Sequence, residues 1–287
     1  MLRTRGQGQG QVRVLGPADR DRFIALAEQD PVLNVFVDYR ARLTNLDERW
    51  LGGQVWGRFA GDDLVAGCHL GANLVPVQCT PDDVTAFADA ALRRRRTVGT
   101  IVGESSVVAS LWDAVEPRWS RPRDVRMSQP HLEIARAPAI TPATDVRVTT
   151  PEDIAMLYPA CVAMYTEEVG VSPESDSGGG DLYRARVQQL IGRGWSMASF
   201  DDRGVVFKAE VACATPYAAQ VQGVWVRPDR RGQGLSAPGV AAVVAHVLDS
   251  GLAPVVSLYV NEWNLAARAA YARAGFEQTA TFATMMF

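Results

Sequence analysis

Between residues 224 and 237 the chain reads VWVRPDRRGQGLSA. An apolar run stops at Pro228, two arginines and two closely spaced glycines follow, and an Ala/Val-rich segment begins. These residue types suit anion binding. Gly232 and Gly234 remove side chains that would hold an anion at a distance, and Arg230 and Arg231 add positive charge. A helix opening just beyond them offers unpaired backbone amides and the positive end of its dipole. Three readings compete: a phosphate cradle, a dinucleotide-binding fingerprint, and a glycine-rich connection with no ligand. A Walker loop is excluded, because no Gly-Lys-Ser/Thr follows. The segment Gly232-Gln-Gly234-Leu-Ser-Ala237 does match G-x-G-x-x-G/A, and Glu262 lies after the next strand, where a ribose-binding acid would stand. That motif turns directly out of its strand, however, whereas Arg227 to Arg231 intervene here. The chain after Glu262 is also too short for the remainder of such a sheet. The run GQGQG at residues 6 to 10 has neither a strand before it nor a helix after it.

The turn needs a strand in front and a helix behind, and the flanking patterns supply both. Val240, Val243, Val244, Val247 and Leu248 recur at i, i+3, i+4, i+7 and i+8, which predicts a helix over 237–249 with one buried stripe and Gly251 as its stop. His246 falls off that stripe and is expected in solvent. Pro238 suits the first turn, where its missing N–H is not needed. Before the turn, SMASFDDRGVVFKAEVACAT predicts two turn-linked strands, and AAQVQGVWV a third. After it, PVVSLYV predicts a strand, NLAARAAYARAG a helix, and TFATMMF a last strand.

The first half repeats this plan. VRVLGPADRDRFIAL from Val12 and VRVTTPEDIAMLYPA from Val146 share Val-Arg-Val, then a proline (Pro17 or Pro151), then an acid (Asp19 or Asp153), in one register. Each copy reads as a short strand, a turn, and a helix opened by proline with an acid near its positive end. Two strands around Gly61-Asp62-Asp63, the helix PDDVTAFADAALRRRR, the strand TVGTIVGE, the helix SSVVASLWDAV and a closing strand near HLEIA follow in parallel. The Pro/Ala/Thr-rich stretch IARAPAITPATD lies midway as a linker, so the boundary is placed near residue 140, giving domains of 1–140 and 141–287. Only the second carries the Arg-Gly-Gln-Gly turn.

Composition supports two packed domains. Of 287 residues 47% are apolar and the formal charge is -3, so neither disorder nor nucleic acid is suggested, and no run approaches the ~20 apolar residues of a membrane helix. The polar start MLRTRGQGQGQV lacks a secretory h-region, which leads to the expectation of a cytoplasmic protein. Cys68, Cys79, Cys161 and Cys213 do not stand at metal-ligand spacing, and His69, His131 and His246 do not complete a cluster; no metal is expected and the thiols are read as buried and reduced. Arg93 to Arg96 close a helix, where positive charge suits the dipole.

Taken together, the C-terminal motifs resemble the GNAT superfamily of acyl-CoA-dependent N-acetyltransferases. The family's Gln/Arg-x-x-Gly-x-Gly/Ala turn appears as Arg231-Gly-Gln-Gly234-Leu-Ser236, with Ser236 in place of Gly/Ala. Its second motif, Asn, Ala, Tyr and Gly-Phe in order, appears in NLAARAAYARAGF with Asn264, Tyr271, Gly275 and Phe276. The resemblance covers about residues 145 to 287. The whole chain also looks like two-domain actinobacterial proteins with a degenerate GNAT-like first half of unknown role. The fold class implied is α/β of the α+β type: two tandem GNAT-like domains, each a mixed, mostly antiparallel sheet flanked by helices.

The resemblance implies roles for named residues. The pyrophosphate of acetyl-CoA would lie on the amides of Arg231, Gly232, Gln233, Gly234, Leu235, Ser236 and Ala237. The pantetheine arm would add alongside Val224, Trp225 and Val226 like an extra strand, with one amide of that strand polarising the thioester carbonyl. The amine of the acceptor, on a small molecule or a protein, would attack directly, and Tyr271 would protonate the departing thiolate. Tyr271 also reads as a half-buried helix aromatic, and Asn264 as a donor contact, a helix N-cap, or both. The base that family members often place early on the motif strand is missing, since Gln220 and Gln222 stand there. Glu210 on the neighbouring strand is the first substitute, although Lys208, the only lysine, lies two residues away on the same face. Glu167 and Glu168 come next, because acids closing a helix oppose its dipole; a solvated helix end is the other reading. The loop SPESDSGGGD at 172–181 reads as a mobile lid, with Tyr183, Val187, Leu190 and Ile191 returning the chain to a helix. The alternative to catalysis is a non-catalytic sensor or scaffold that binds CoA thioesters.

Overall fold

A computed structural model describes residues 12–94, 96–175 and 178–287. The 6–10 run, Arg95 of the arginine run, and Asp176 and Ser177 of the 172–181 loop lie outside the described residues. The chain forms two compact units, one of residues 1–129 with 280–287, the other of residues 130–279.

The first unit contains β1 (Val12–Leu15), α1 (Arg20–Ala27), α2 (Val35–Thr44), α3 (Glu48–Leu51), β2 (Gln54–Ala60), β3 (Asp63–Leu70), β4 (Asn73–Val77), α4 (Pro81–Leu92), β5 (Thr100–Glu104) and α5 (Ser105–Val115). β6 (Asp124–Ile134) runs from this unit into the second. The second adds β7 (Arg147–Val148), α6 (Ile154–Val169), α7 (Gly179–Gly192), β8 (Ser196–Asp201), β9 (Gly204–Ala214), β10 (Ala219–Val226), α8 (Ser236–Asp249), β11 (Val256–Tyr259) and α9 (Leu265–Ala274). β12 (Glu277–Met286) then returns to the first unit.

In the first unit the pairs β1–β2, β2–β3 and β3–β4 are antiparallel and β4–β5 is parallel. In the second, β7–β8, β8–β9 and β9–β10 are antiparallel and β10–β11 is parallel. Each sheet is thus mixed and mostly antiparallel, with helices against it, as expected. The closing strands are exchanged: β12, from the end of the chain, pairs with β5 in the first unit, while Leu132 and Ile134 of β6 pair with β11 in the second. Alternating apolar residues mark both segments as strands but do not encode which neighbour receives them.

The repeat noted in the sequence is a structural device. Arg13 donates to both carboxylate oxygens of Asp19 at 2.7 Å, and Arg147 to those of Asp153 at 2.7 and 2.8 Å. Asp153 also accepts from the Thr150 amide at 2.8 Å, and Asp19 from the Gly16 amide at 3.2 Å. Each arginine lies over a phenylalanine, Phe59 or Phe200. The forked pair fastens the entering strand to the first helix of each unit. Hydrogen bonds from Arg147 hold the Asp153 carboxyl at about 2, below its ordinary range.

Helix α8 buries Val240, Val243, Val244 and Val247 of the predicted stripe, and its last member, Leu248, is half-buried. Full burial of side chains of this size contributes ~1.5–3 kcal/mol each, which fixes α8 against the sheet and with it the turn that precedes it. His246 is half-buried rather than solvated.

Each unit also buries a histidine. Burial pushes His69 and His131 from 6.5 down to about 4. Thr279 donates to Glu133 at 2.8 Å, so the 3.2 Å contact between His131 Nδ1 and the Thr279 oxygen requires Nδ1 to carry the proton. Unfolding returns both rings to ordinary affinity for protons. The unfolded chain therefore binds more protons between pH 6.5 and about 4, and this stability, complete above 6.5, is lost as pH falls through that window. The expected slope is ~1.4 kcal/mol per pH unit for each histidine within the window. Denaturant midpoints at pH 7, 6 and 5 measure it; a midpoint independent of pH would contradict two buried neutral imidazoles.

Candidate functional site

β10 and β11 pair in parallel at Ala219↔Val256 and Gln220↔Ser257, and among the described residues no pairing of the two follows beyond Gln220. The strands then part, leaving the Val221–Val226 edge of β10 without a neighbour on that side. A parted parallel pair is a slot for an extended chain, because backbone donors and acceptors on its edge lack partners.

A bulge accentuates the parting. Gln222 is opposite Glu210 and Trp225 opposite Lys208, so Gly223 and Val224 of β10 face the single residue Ala209 of β9. Gly223 has φ +61°, and a Cβ there would come within 3.0 Å of Lys208 Nζ and 3.2 Å of Glu210 Cδ. Only glycine suits both the conformation and the space. An isolated glycine inside an apolar strand is a bulge signal, so this position was detectable in the sequence.

The turn follows β10. Gly232 and Gly234 adopt φ of +75° and +76°, with open space where a Cβ would stand. Residues 231 to 234 are exposed, Leu235 and Ser236 are half-buried, and Ala237 is buried. No side chain caps the first turn of α8, so its amides remain available to an anion. The arginines are otherwise engaged. Arg230 donates to Asp201 at 2.7 Å, and Arg231 donates to Glu167 at 2.6 Å and to the Val226 carbonyl at 2.9 Å. The backbone, rather than the arginine charge, is therefore what the turn has free to offer an anion.

The end of α6 reaches across to these elements. Glu167 accepts from the Trp225 indole at 3.2 Å as well as from Arg231, and Glu168 accepts from the Asn261 amide at 3.4 Å. The two acids that oppose the helix dipole thus serve contacts outside their own helix. Tyr271 on α9 is buried, with its ring 6.0 Å from that of Phe276. Burial, and then the nearby Glu168 carboxylate, raise its pKa, so the phenol keeps its proton at neutral pH. Asn264 caps α9, accepting from the Ala267 amide at 3.1 Å. Asn261 was not singled out in the sequence; nothing local distinguishes it from any polar residue ending a strand.

Glu210 is enclosed. Its Oε2 accepts from Lys208 at 3.1 Å and its Oε1 from Gln222 at 2.8 Å. Tyr183 lies beside it, and the Tyr165 ring is tilted against that of Tyr183, with centroids 5.2 Å apart. Val187, Leu190 and Ile191 are the buried face of α7. Of the loop before that helix, Glu174 is held by Tyr158, whose hydroxyl donates toward Glu174 at 3.0 Å and the Gly180 carbonyl at 3.1 Å.

The first unit keeps the parted strands but not the turn. β4 and β5 also pair in two steps, Asn73↔Thr100 and Leu74↔Ile101. The following helix α4, however, is closed by a capping box: Thr80 accepts from the Asp83 amide, and Asp83 accepts from the Thr80 amide at 2.7 Å. The buried Asp83 carboxylate, paired with Arg58, occupies the end of the helix where an anion would bind. Pro76, on the strand corresponding to β10, lacks an N–H altogether.

Among the described residues there is no group of His, Cys, Asp and Glu that could hold a metal ion, and no helix is long and apolar enough to cross a membrane. Residues 191–276 match the Acetyltransferase (GNAT) family, and residues 53–157 match a domain of unknown function, DUF4081. No curated protein sequence matches the chain. Three solved structures share the fold along nearly the whole length. An acetyltransferase from the GNAT family of Colwellia psychrerythraea is 13% identical, with 96% of this chain and 99% of that one covered and a TM-score of 0.62. A tandem GNAT protein from the clavulanic acid biosynthesis pathway is 16% identical, with 96% and 98% covered and a TM-score of 0.58. A GCN5-related N-acetyltransferase from Sphaerobacter thermophilus is 17% identical, with 97% and 96% covered and a TM-score of 0.60. With the parted strands, the uncapped glycine turn and the closed counterpart in the first unit, these matches place a GNAT-family segment at residues 191–276 and give the whole chain the fold of GNAT proteins, a tandem one among them.

Proposed function

We propose that the second unit, expected from the sequence at 141–287 and found at 130–279, binds acetyl-CoA and transfers the acetyl group to a primary amine by direct attack, and that the first, expected at 1–140, is a degenerate, GNAT-like domain completed by residues 280–287. The observation that carries this reading is the slot between β10 and β11 opening onto the uncapped turn of α8. Acetyl-CoA supplies a thioester, an activated acyl group that needs no metal. The amides of Arg231 to Ala237 hold its pyrophosphate, and the edge of Val224, Trp225 and Val226 aligns its pantetheine arm, with Asn264 near the donor. The free amide at the bulge polarises the thioester carbonyl. Glu168 takes a proton from the acceptor ammonium, the amine nitrogen bonds to the carbonyl carbon, the C–S bond breaks, Tyr271 gives its proton to the thiolate, and the nitrogen releases its second proton to solvent, from which Tyr271 is reprotonated. Glu210, with both oxygens already accepting, is assigned to holding the strand. The acceptor is an amine on a small molecule or a protein, and neither nucleic acid nor a membrane surface has a role.

That enclosure of Glu210 is also the observation that favours a second reading, a sensor that binds CoA thioesters without turning them over. A thiol-release assay over a panel of amines separates the two. Release of CoA that depends on an added amine supports transfer; tight acetyl-CoA binding with no release over the panel supports the sensor.

The two helix starts also fix the expected stoichiometry. Asp83 closes α4 to anions, so calorimetry is expected to find one acetyl-CoA per chain. Two sites of similar affinity would show that the capping box does not exclude phosphate.

A further inference from the structure

The bulge needs something to hold it, and the group in contact with it is the one lysine among 29 basic residues. Lys208 has a fully buried side chain, 0% exposed. Its ammonium donates to Glu210 Oε2 at 3.1 Å and to the Gly223 carbonyl at 3.1 Å. Burial lowers its affinity for a proton, but the Glu210 carboxylate and the neighbouring Cys161 together more than offset this, so it stays charged. Glu210 in turn accepts from Gln222, the residue before Gly223. One buried charge pair thereby grips β10 on the near side of the bulge.

The consequence follows from the planarity of the peptide unit. The Gly223 carbonyl and the Val224 N–H belong to one rigid trans peptide and point in opposite directions. A carbonyl drawn onto Lys208 turns the Val224 N–H away from Lys208, at a position left out of the register with β9. We propose that Lys208 is a positioning residue, which through the Gly223 carbonyl aims the Val224 amide at the thioester carbonyl of the bound donor. An ammonium suits this place because its compact, rotatable donors meet two convergent partners, Glu210 and the Gly223 carbonyl; the planar fork of arginine, with five donors, would leave more of them buried without acceptors. This rests on the acetyl-CoA reading above and names the device that makes its carbonyl contact.

The test compares two probes, acetyl-CoA and free CoA, which share the pyrophosphate and pantetheine and differ in the thioester carbonyl. Calorimetry on the wild-type full-length chain is expected to give acetyl-CoA an advantage of about three- to tenfold, the effect of one hydrogen bond. In the double variant Lys208→Met with Glu210→Met, which removes both charges together so that neither is stranded, that advantage is expected to fall to about onefold while CoA affinity stays within about threefold of wild type. Gly223→Ala, which presses a methyl group onto the Lys208 ammonium, is expected to do the same and serves if the double variant does not fold. Retention of the wild-type advantage in the folded double variant, or in Gly223→Ala, would overturn the positioning role. So would a parallel loss of both affinities, which marks a merely structural pair. A wild-type chain that binds neither probe would instead refute the acetyl-CoA reading itself.

Discussion

Replacing Gly234 by tryptophan is expected to lower acetyl-CoA affinity by at least about 100-fold, measured by calorimetry on the full-length chain. Gly234 stands in the left-handed region at φ +76°, in the middle of the run whose amides converge ahead of α8. A bulky side chain both disfavours that conformation and fills the approach to the amides. Hydrogen bonds to a charged group contribute about 1.5–3 kcal/mol each, so losing two of them accounts for the factor of about 100. Folding is expected to be nearly indifferent, because Gly234 is exposed and has open space around it. The strain amounts to about 1–2 kcal/mol at most, a decrease in Tm of no more than about 8 °C for a chain of this size. Unchanged affinity in a folded Gly234→Trp protein would remove the turn from the site.

The second large effect is expected at Tyr271. Tyr271→Phe keeps the ring that packs beside Phe276 and deletes only the hydroxyl. Acetyl-CoA affinity is therefore expected to stay within about threefold of wild type, whereas amine-dependent thiol release falls by about 10²–10³, the range of a lost general acid. The direction of its pKa shift matters here. Burial and Glu168 favour the neutral phenol, so the proton is present throughout the neutral range, and the rate should not show a Tyr271 ionisation between pH 6 and 9. A Phe variant with full turnover would leave Tyr271 as a core aromatic. A variant that lost affinity and turnover in equal measure would point to packing rather than proton transfer.

These two positions were legible because their signals are local. Gly232 and Gly234 sit between a strand that ends at a proline and a helix with an uninterrupted valine stripe, and Tyr271 stands in a short helix ending at Gly275. The repeat that begins at Val12 and Val146 was also legible, and its Arg–Asp forks explain why arginine and aspartate recur in one register. The helix Val35–Thr44 was not read, and the reason is its chemistry. Asp38 is buried on it, with Arg42 as its partner, so the face turned inward carries a charge and the apolar period is broken. The five-residue strand Asn73–Val77 was obscured by Pro76, which ordinarily argues against a strand interior. The exchange of closing strands and the approach of Glu168 to Tyr271 depend on residues about a hundred positions or more apart, and no local pattern encodes such meetings. Lys208 and Glu210 lie between these cases. Their spacing announced a shared face, but the Gly223 carbonyl that completes the group becomes visible only once the strand is bent.

The burial of Lys208 has a last consequence, for how the protein meets reactive acyl donors. An enzyme that holds an activated acetyl group is exposed to modification of its own amines, and lysine side chains are the usual casualties. Here the single lysine is enclosed, charged and bonded to Glu210 and the Gly223 carbonyl, and a protonated amine has no lone pair with which to attack. If the chain binds acetyl-CoA as proposed, it carries no lysine that the donor can reach. In an assay on protein acceptors, every acetyl-lysine recovered would report on the acceptor, with no contribution from the catalyst.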